Sequence, residues 1–171
     1  IIEGLDRRTF SFADFWARRA LRILPPYLLV VAATLALAPL SLVAPTEFGE
    51  LGREARDGAL MIINHLFLSQ QGYFDAAADS KPLLHLWSLA VEEQFYVVAP
   101  LAIAGLWYLP NWLGRPAMRW PLLGWSAFGL LIATLAGCVL LTSAVGQNWA
   151  FYLMPLRAWE FVAGGAIGFI L

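Results

Sequence analysis

The chain has 171 residues, 60% of them apolar and 13% charged, with a formal net charge of −1, and its mean hydropathy is +0.68. A soluble domain averages about a quarter charged residues and somewhat under half apolar ones, so a water-soluble globule is excluded and lipid must solvate much of the surface. Outside one N-terminal cluster no basic tract points to nucleic acid, and the single cysteine, Cys138, allows neither a disulfide framework nor a thiolate metal site.

The chain opens on Ile1 without a methionine and closes at Leu171 inside an apolar run, which predicts a piece of a longer protein. Residues 9–24 read as an amphipathic helix on the cytoplasmic surface. Ser11 and Asp14 resemble a capping box, Phe12, Phe15 and Trp16 give an apolar side, and Arg18, Arg19 and Arg22 give a cationic one. Pro25-Pro26 is expected to break that helix and turn the chain into the membrane. A bilayer core about 30 Å thick needs about 20 apolar helical residues, and residues 25–43, 83–109, 120–143 and 149–171 qualify. Residues 45–57 and 73–82 read as external loops, 110–116 as a cytoplasmic turn and 144–148 as a short external one. Residues 58–71 are apolar at first but short, and they carry Asn64, His65, Gln70 and Gln71, so they read as a re-entrant or interfacial helix. His65 is assigned to packing or hydrogen bonding.

Charge counting favours four spans. With residues 58–71 not crossing and the N-terminus cytoplasmic, Arg7, Arg8, Arg18, Arg19, Arg22, Arg115 and Arg119 are inside, seven in all. Arg53, Arg56 and Lys81 are the three outside. A crossing would narrow the split to six against four, a weaker positive-inside bias.

An ionisable group at the bilayer centre costs about 2.5–3.5 kcal/mol on insertion scales, so it persists where it meets a cavity, a partner or a substrate. Three groups stand out. Arg18, Arg19 and Arg22 occupy one helical turn, as a phosphate clamp does; a headgroup anchor has the same spacing. On the second span His85, Ser88, Glu92 and Tyr96 fall within roughly 80° of one another, a polar stripe expected to face the bundle interior. Glu92 and Glu93 lie about 13 Å below the start of that span, either at a site of chemistry or in an ion-pair network holding helices in register. On the fourth span Arg157 and Glu160 can pair with each other, or Arg157 can meet a glutamate of the second span. Gly164 and Gly168 form a GxxxG that permits close helix approach.

Three stretches together resemble the acyltransferase-3 family of bacterial membrane acyltransferases, which includes O-antigen (lipopolysaccharide) and other envelope-glycan O-acetyltransferases. Phe15-Trp-Ala-Arg-Arg-Ala-Leu-Arg-Ile-Leu-Pro25 is similar to its RRxxRIxP motif. Leu84-His-Leu-Trp-Ser-Leu-Ala-Val-Glu-Glu-Gln-Phe-Tyr96 is similar to its most specific signature, departing at Leu86, and Pro155-Leu-Arg-Ala-Trp-Glu160 to a later-helix motif. The resemblance implies transfer of an acyl group, usually acetyl from acetyl-CoA as donor substrate, to a hydroxyl of an envelope polysaccharide or glycolipid. It implies that Arg18, Arg19 and Arg22 bind the acyl-CoA phosphates. It also implies a catalytic histidine on a helix before Ile1, a role His85 does not take over, so residues 1–171 alone are expected to be inactive.

The expectation is therefore an all-α, polytopic transmembrane bundle of about four spans, with an N-terminal amphipathic interfacial helix and one short re-entrant or interfacial helix. It is one partial membrane acyltransferase domain over residues 1–171, in the bacterial inner membrane. Membrane lipid, acyl-CoA and an envelope glycan are its partners, and no bound cofactor or metal is expected. Acyl-CoA would dock from the cytoplasmic side and the acceptor from the opposite face. Glu92, Glu93, Arg157 and Glu160 are the candidates to shape a catalytic site, with a structural role open for each. A transporter or channel, in which buried charges are equally natural, is the rival, and a purely structural membrane subunit a third reading. No internal repeat supports the transporter.

Overall fold

The computed structural model describes residues 1–41, 45–70, 81–144 and 146–170. In chain order its helices are α1 (Ile2–Asp6), α2 (Phe12–Ser41), α3 (Pro45–Ala59), α4 (Ile63–Ser69), α5 (Leu86–Trp112), α6 (Arg119–Ala144), α7 (Gln147–Tyr152) and α8 (Met154–Ile170), with a 3-10 turn at Pro116–Met118. The described residues contain no strand, as the all-α expectation requires. Among the described residues three helices are long and apolar enough to cross a membrane: Phe12–Leu40, Leu86–Trp112 and Pro116–Ala144. Hydroxyls within them are satisfied by the preceding turn, which lets serine and threonine sit in an apolar helix. Thr34 donates to the Val30 carbonyl at 2.9 Å, Thr134 to Leu130 at 2.8 Å and Thr142 to Cys138 at 2.7 Å.

Two expected boundaries move. Pro25-Pro26 does not end a helix: α2 runs unbroken for 30 residues through Pro25, Pro26 and Pro39. Each proline removes one i→i−4 hydrogen bond, yet the flanking turns hold the helical path, so the arginine segment and the first span are one rod. Residues 45–57, expected as a loop, form most of α3, with Pro45 as first helical residue, Glu47 in the first turn and Arg56 in the last. Charges of both signs concealed a single buried face, made by Leu51, Glu54, Asp57 and Gly58 at helical spacing. The fourth apolar stretch is divided: α7 ends at Tyr152, Leu153 is extended at φ −90° and ψ 124°, and α8 begins at Met154. The expected loop at residues 73–82 lies, up to residue 80, outside the described residues.

The chain forms two compact units, Phe12–Glu93 and Ile1–Ser11 with Gln94–Leu171. In the first, α3 closes in a Schellman arrangement: the Ile62 N–H donates to the Asp57 carbonyl at 2.9 Å and the Met61 N–H to the Gly58 carbonyl at 2.8 Å. Met61 takes the left-handed position, φ 55°, where glycine is usual. The turn leads into α4, whose Ile63, Asn64 and Phe67 are fully buried; His65 is exposed. Of residues 58–71, expected as one short helix, 58 and 59 end α3 and Ile63–Ser69 form α4, which at 7 residues is too short to span. In the second unit α6 and α8 pack most closely, with the Leu156 side chain 3.4 Å from where a Cβ on Gly137 would stand. Gly164 and Gly168, the expected close-approach pair, are exposed with nothing near them among the described residues. After α5 the chain reverses at Gly114, φ 67°. Arg119 secures the reversal by donating to the Asn111 side chain and lying 5.4 Å over the Trp107 ring.

Candidate functional site

Within the unit Phe12–Glu93, two of the stretches singled out in the sequence meet. Arg19 of α2 donates from Nη2 to Glu93 Oε1 of α5 at 2.8 Å, with side-chain exposures of 24% and 17%. Of three arginines on one turn, Arg19 faces inward, while Arg18 and Arg22 are exposed. The glutamate that joins α2 is Glu93, not a member of the expected stripe.

The stripe itself is not buried by the described residues. His85 precedes the first residue of α5 and is exposed, as is Glu92. Ser88 bonds back to the His85 carbonyl at 3.4 Å, and Tyr96 packs edge-on against Phe95 with ring centres 5.9 Å apart. Helical spacing places residues on one face; what covers that face depends on neighbouring elements.

Three to four residues beyond Arg19, α2 borders an open groove of about 280 Å³ shared with the start of α5. Arg22 and His85 are its polar residues, and Ile23, Pro26, Tyr27, Val30, Leu86 and Leu89 its apolar wall. The continuous α2 makes this possible. With a break at Pro25-Pro26 the arginines would lie along the membrane surface, and His85, at the far end of the second span, would be remote from them. Instead Arg22 and His85, assigned from hydropathy to opposite sides of the bilayer, line one groove. The arrangement presents a guanidinium and an imidazole beside an apolar wall, suited to an anionic or carbonyl-bearing head with an apolar group attached.

Behind the groove lies a polar cluster that was not anticipated. Tyr27 is 4% exposed; its hydroxyl reaches α3 so close to Gly58 that a Cβ there would collide with it. That hydroxyl has no hydrogen-bond partner among the described residues. Glu54 on α3 is 2% exposed and accepts the Leu83 N–H at 3.2 Å. Burial pushes its carboxyl above the usual carboxylate range, partly offset by the Leu83 N–H and the nearby Lys81 ammonium. Lys81, itself buried, stands 5.8 Å over the Phe67 ring. On the same helix Arg56 donates to Asp57 at 2.6 Å. The signal was present: Leu51, Glu54 and Gly58 recur at i, i+3 and i+7. Reading residues 45–57 as a loop removed the periodicity from view.

In the second unit Arg157 and Glu160 pair with each other, bidentate, the shortest contact 2.7 Å. The Arg157 guanidinium also lies 5.9 Å from the Phe151 ring centre. Of the two partners open to Arg157, the one on its own helix is taken. No group of three or more histidine, cysteine or acidic side chains that could hold a metal occurs among the described residues.

Comparison with known proteins places these features in context. No family model matches the chain, and no solved structure does. Among curated proteins, it is 36% identical over 104 residues to an uncharacterized protein of Haemophilus influenzae, covering 60% of this chain and 42% of that protein. It is 36% identical over 107 residues to the O-acetyltransferase OatA of Staphylococcus aureus, covering 62% and 17%. It is 27% identical over 165 residues to the putative peptidoglycan O-acetyltransferase YrhL of Bacillus subtilis, covering 94% and 24%. The chain thus matches less than half the length of each of these relatives, and its likeness is to proteins of the O-acetyltransferase type.

Proposed function

We propose that this chain is part of a membrane-bound O-acyltransferase that transfers an acyl group, acetyl in the first instance, to a hydroxyl of an envelope polysaccharide or glycolipid. The observation that carries the reading is the Arg19–Glu93 ion pair. It ties the arginine helix to the helix of the long signature, and beside it Arg22 and His85 line one groove. The names of the O-acetyltransferase relatives support the reaction class, and the YrhL likeness, which runs along most of the chain, makes peptidoglycan a candidate acceptor beside lipopolysaccharide. The three membrane-length helices suit a multi-pass location in the bacterial inner membrane.

In this reading the donor is acyl-CoA. The exposed Arg18 and Arg22 take its phosphate oxygens, while Arg19, held by Glu93, fixes the helix that presents them. The acyl carbonyl lies toward the groove. The acceptor hydroxyl loses its proton to a base, its oxygen bonds to the carbonyl carbon, and the carbon–sulfur bond breaks to release CoA thiolate, which takes up a proton. Positive charge near the carbonyl oxygen stabilises the developing oxyanion, and none of the described residues is assigned that part. None of the described residues is assigned the base; the family resemblance gives that role to a histidine upstream of Ile1. Glu93 and the Arg157–Glu160 pair serve as structure.

The test is acetyl transfer to an envelope glycan by the full-length protein across a range of acetyl-CoA concentrations, with membrane insertion followed in parallel. Arg22→Lys keeps the charge but loses the planar fork, so the half-saturating acetyl-CoA concentration should rise several-fold. Arg22→Ala should raise it by about 10- to 100-fold, the worth of a hydrogen bond to a charged group. Unaltered transfer by both variants would reduce the arginines to a headgroup anchor.

A further inference from the structure

The groove wall contributed by α5 depends on where that helix begins, and its beginning is held by another element. Residues 81–87 form successive tight turns: the Leu84 N–H donates to the Lys81 carbonyl at 3.0 Å, Leu86 to Leu83 at 3.0 Å and Trp87 to Leu84 at 3.1 Å. The Leu83 N–H donates to Glu54 of α3, across 29 positions of sequence. Leu83 and Glu54 are both shielded from solvent, at 0% and 2% exposure. A buried carboxylate is retained only where its oxygens are satisfied. Here the acceptor meets an amide just ahead of a helix N-terminus, where negative charge is favoured, and a lysine lies close by. Two residues past Leu83 stands His85, one of the two polar residues lining the groove. On its other side α3 meets α2 where Gly58 receives Tyr27. One helix thus grips both walls.

We propose that Glu54 is a positioning residue: by accepting the Leu83 N–H it fixes residues 81–87, and so sets His85 and the first turn of α5 beside Arg22. Its effect on acyl transfer rests on the function proposed above, whereas the anchoring does not.

Two measurements on the full-length protein in lipid nanodiscs separate these. The first is hydrogen exchange at the Leu83 to Trp87 amides. The second is acetyl transfer resolved into kcat and KM for acetyl-CoA. Glu54→Gln retains a side-chain oxygen at the same reach and should keep both within about three-fold of wild type, since a neutral acceptor still makes most of the bond. Glu54→Asp keeps the charge but is one methylene short of the 3.2 Å contact. It should speed exchange at residues 83–87 by about ten-fold, as loss of one hydrogen bond does, and lower kcat/KM with it. Glu50→Gln, on the same helix but exposed, should change neither. Normal exchange in Glu54→Asp overturns the anchoring. Faster exchange spread evenly over α2 to α5 overturns it too, because the residue then only supports the fold. Faster exchange at residues 83–87 with unchanged kcat/KM overturns the positioning role. A wild-type protein that transfers no acetyl from acetyl-CoA ends the functional reading, while exchange still decides whether Glu54 holds the turn.

Discussion

Breaking the Arg19–Glu93 pair should loosen α2 from α5, and the size of the effect follows from its setting. Unit charges about 4 Å apart at an effective dielectric of about 20 attract by about 4 kcal/mol. Most of that attraction is offset by desolvating and ordering two long side chains. A hydrogen bond to a charged group nets about 1.5–3 kcal/mol, and an exposed ion pair about 0.2–1 kcal/mol. With exposures of 24% and 17% and a contact of 2.8 Å, the pair belongs between these cases, with a coupling of about 1.5 kcal/mol. Either single alanine substitution should cost more, about 2–3 kcal/mol, because the partner left behind is a half-buried charge; fully buried pairs lose about 3–5 kcal/mol when cut in this way. The assay is a double-mutant cycle of Arg19→Ala, Glu93→Ala and both together, read from the midpoint of denaturation by dodecyl sulfate. The double variant should lose about 1.5 kcal/mol less than the two single losses added together. Additivity within about 0.5 kcal/mol, as for sites that do not interact, would refute the link and remove the strongest support for a joined site. Retained stability with transfer abolished in Glu93→Gln would move this glutamate from structure to chemistry.

Two further outcomes are expected. Gly58→Ala should destabilise the protein by about 1–3 kcal/mol, the usual cost of overpacking, because the new methyl strikes the Tyr27 hydroxyl. Tyr27→Phe, which removes that oxygen, should rescue it; failure of the rescue in thermal unfolding would show that the contact is not the cause. Cysteines placed at exposed Gly49 and within residues 73–80 should react with an impermeant thiol reagent from the same, extracytoplasmic side, and labelling from opposite sides would mean that the chain crosses the bilayer between them.

The apolar excess and the length of the apolar runs determined by themselves that this is a helical chain able to cross a membrane. A backbone in lipid must satisfy its polar groups within the segment, which leaves few alternatives to a helix. The cores of the spans at residues 83–109 and 120–143 were legible for the same reason, and Arg19, Arg22, His85 and Glu93 were singled out because charged groups in apolar surroundings announce themselves. Partnership was not legible. Helical spacing put Glu92 on the polar stripe, yet Glu93 meets Arg19, because periodicity fixes the direction of a side chain and says nothing of which helix lies there. The proline pair is an intrinsic helix breaker, but α2 passes through it. Local propensity yields where the flanking turns continue the helix, and that continuity decides that Arg22 and His85 line one groove. The charges of residues 45–57 averaged to a loop in composition; only packing against Tyr27, Ile63 and Leu83 could show that Leu51, Glu54 and Gly58 form one buried face of a helix. Burial of a carboxylate is worth its cost only where a donor waits, and that donor stands 29 residues further along the chain.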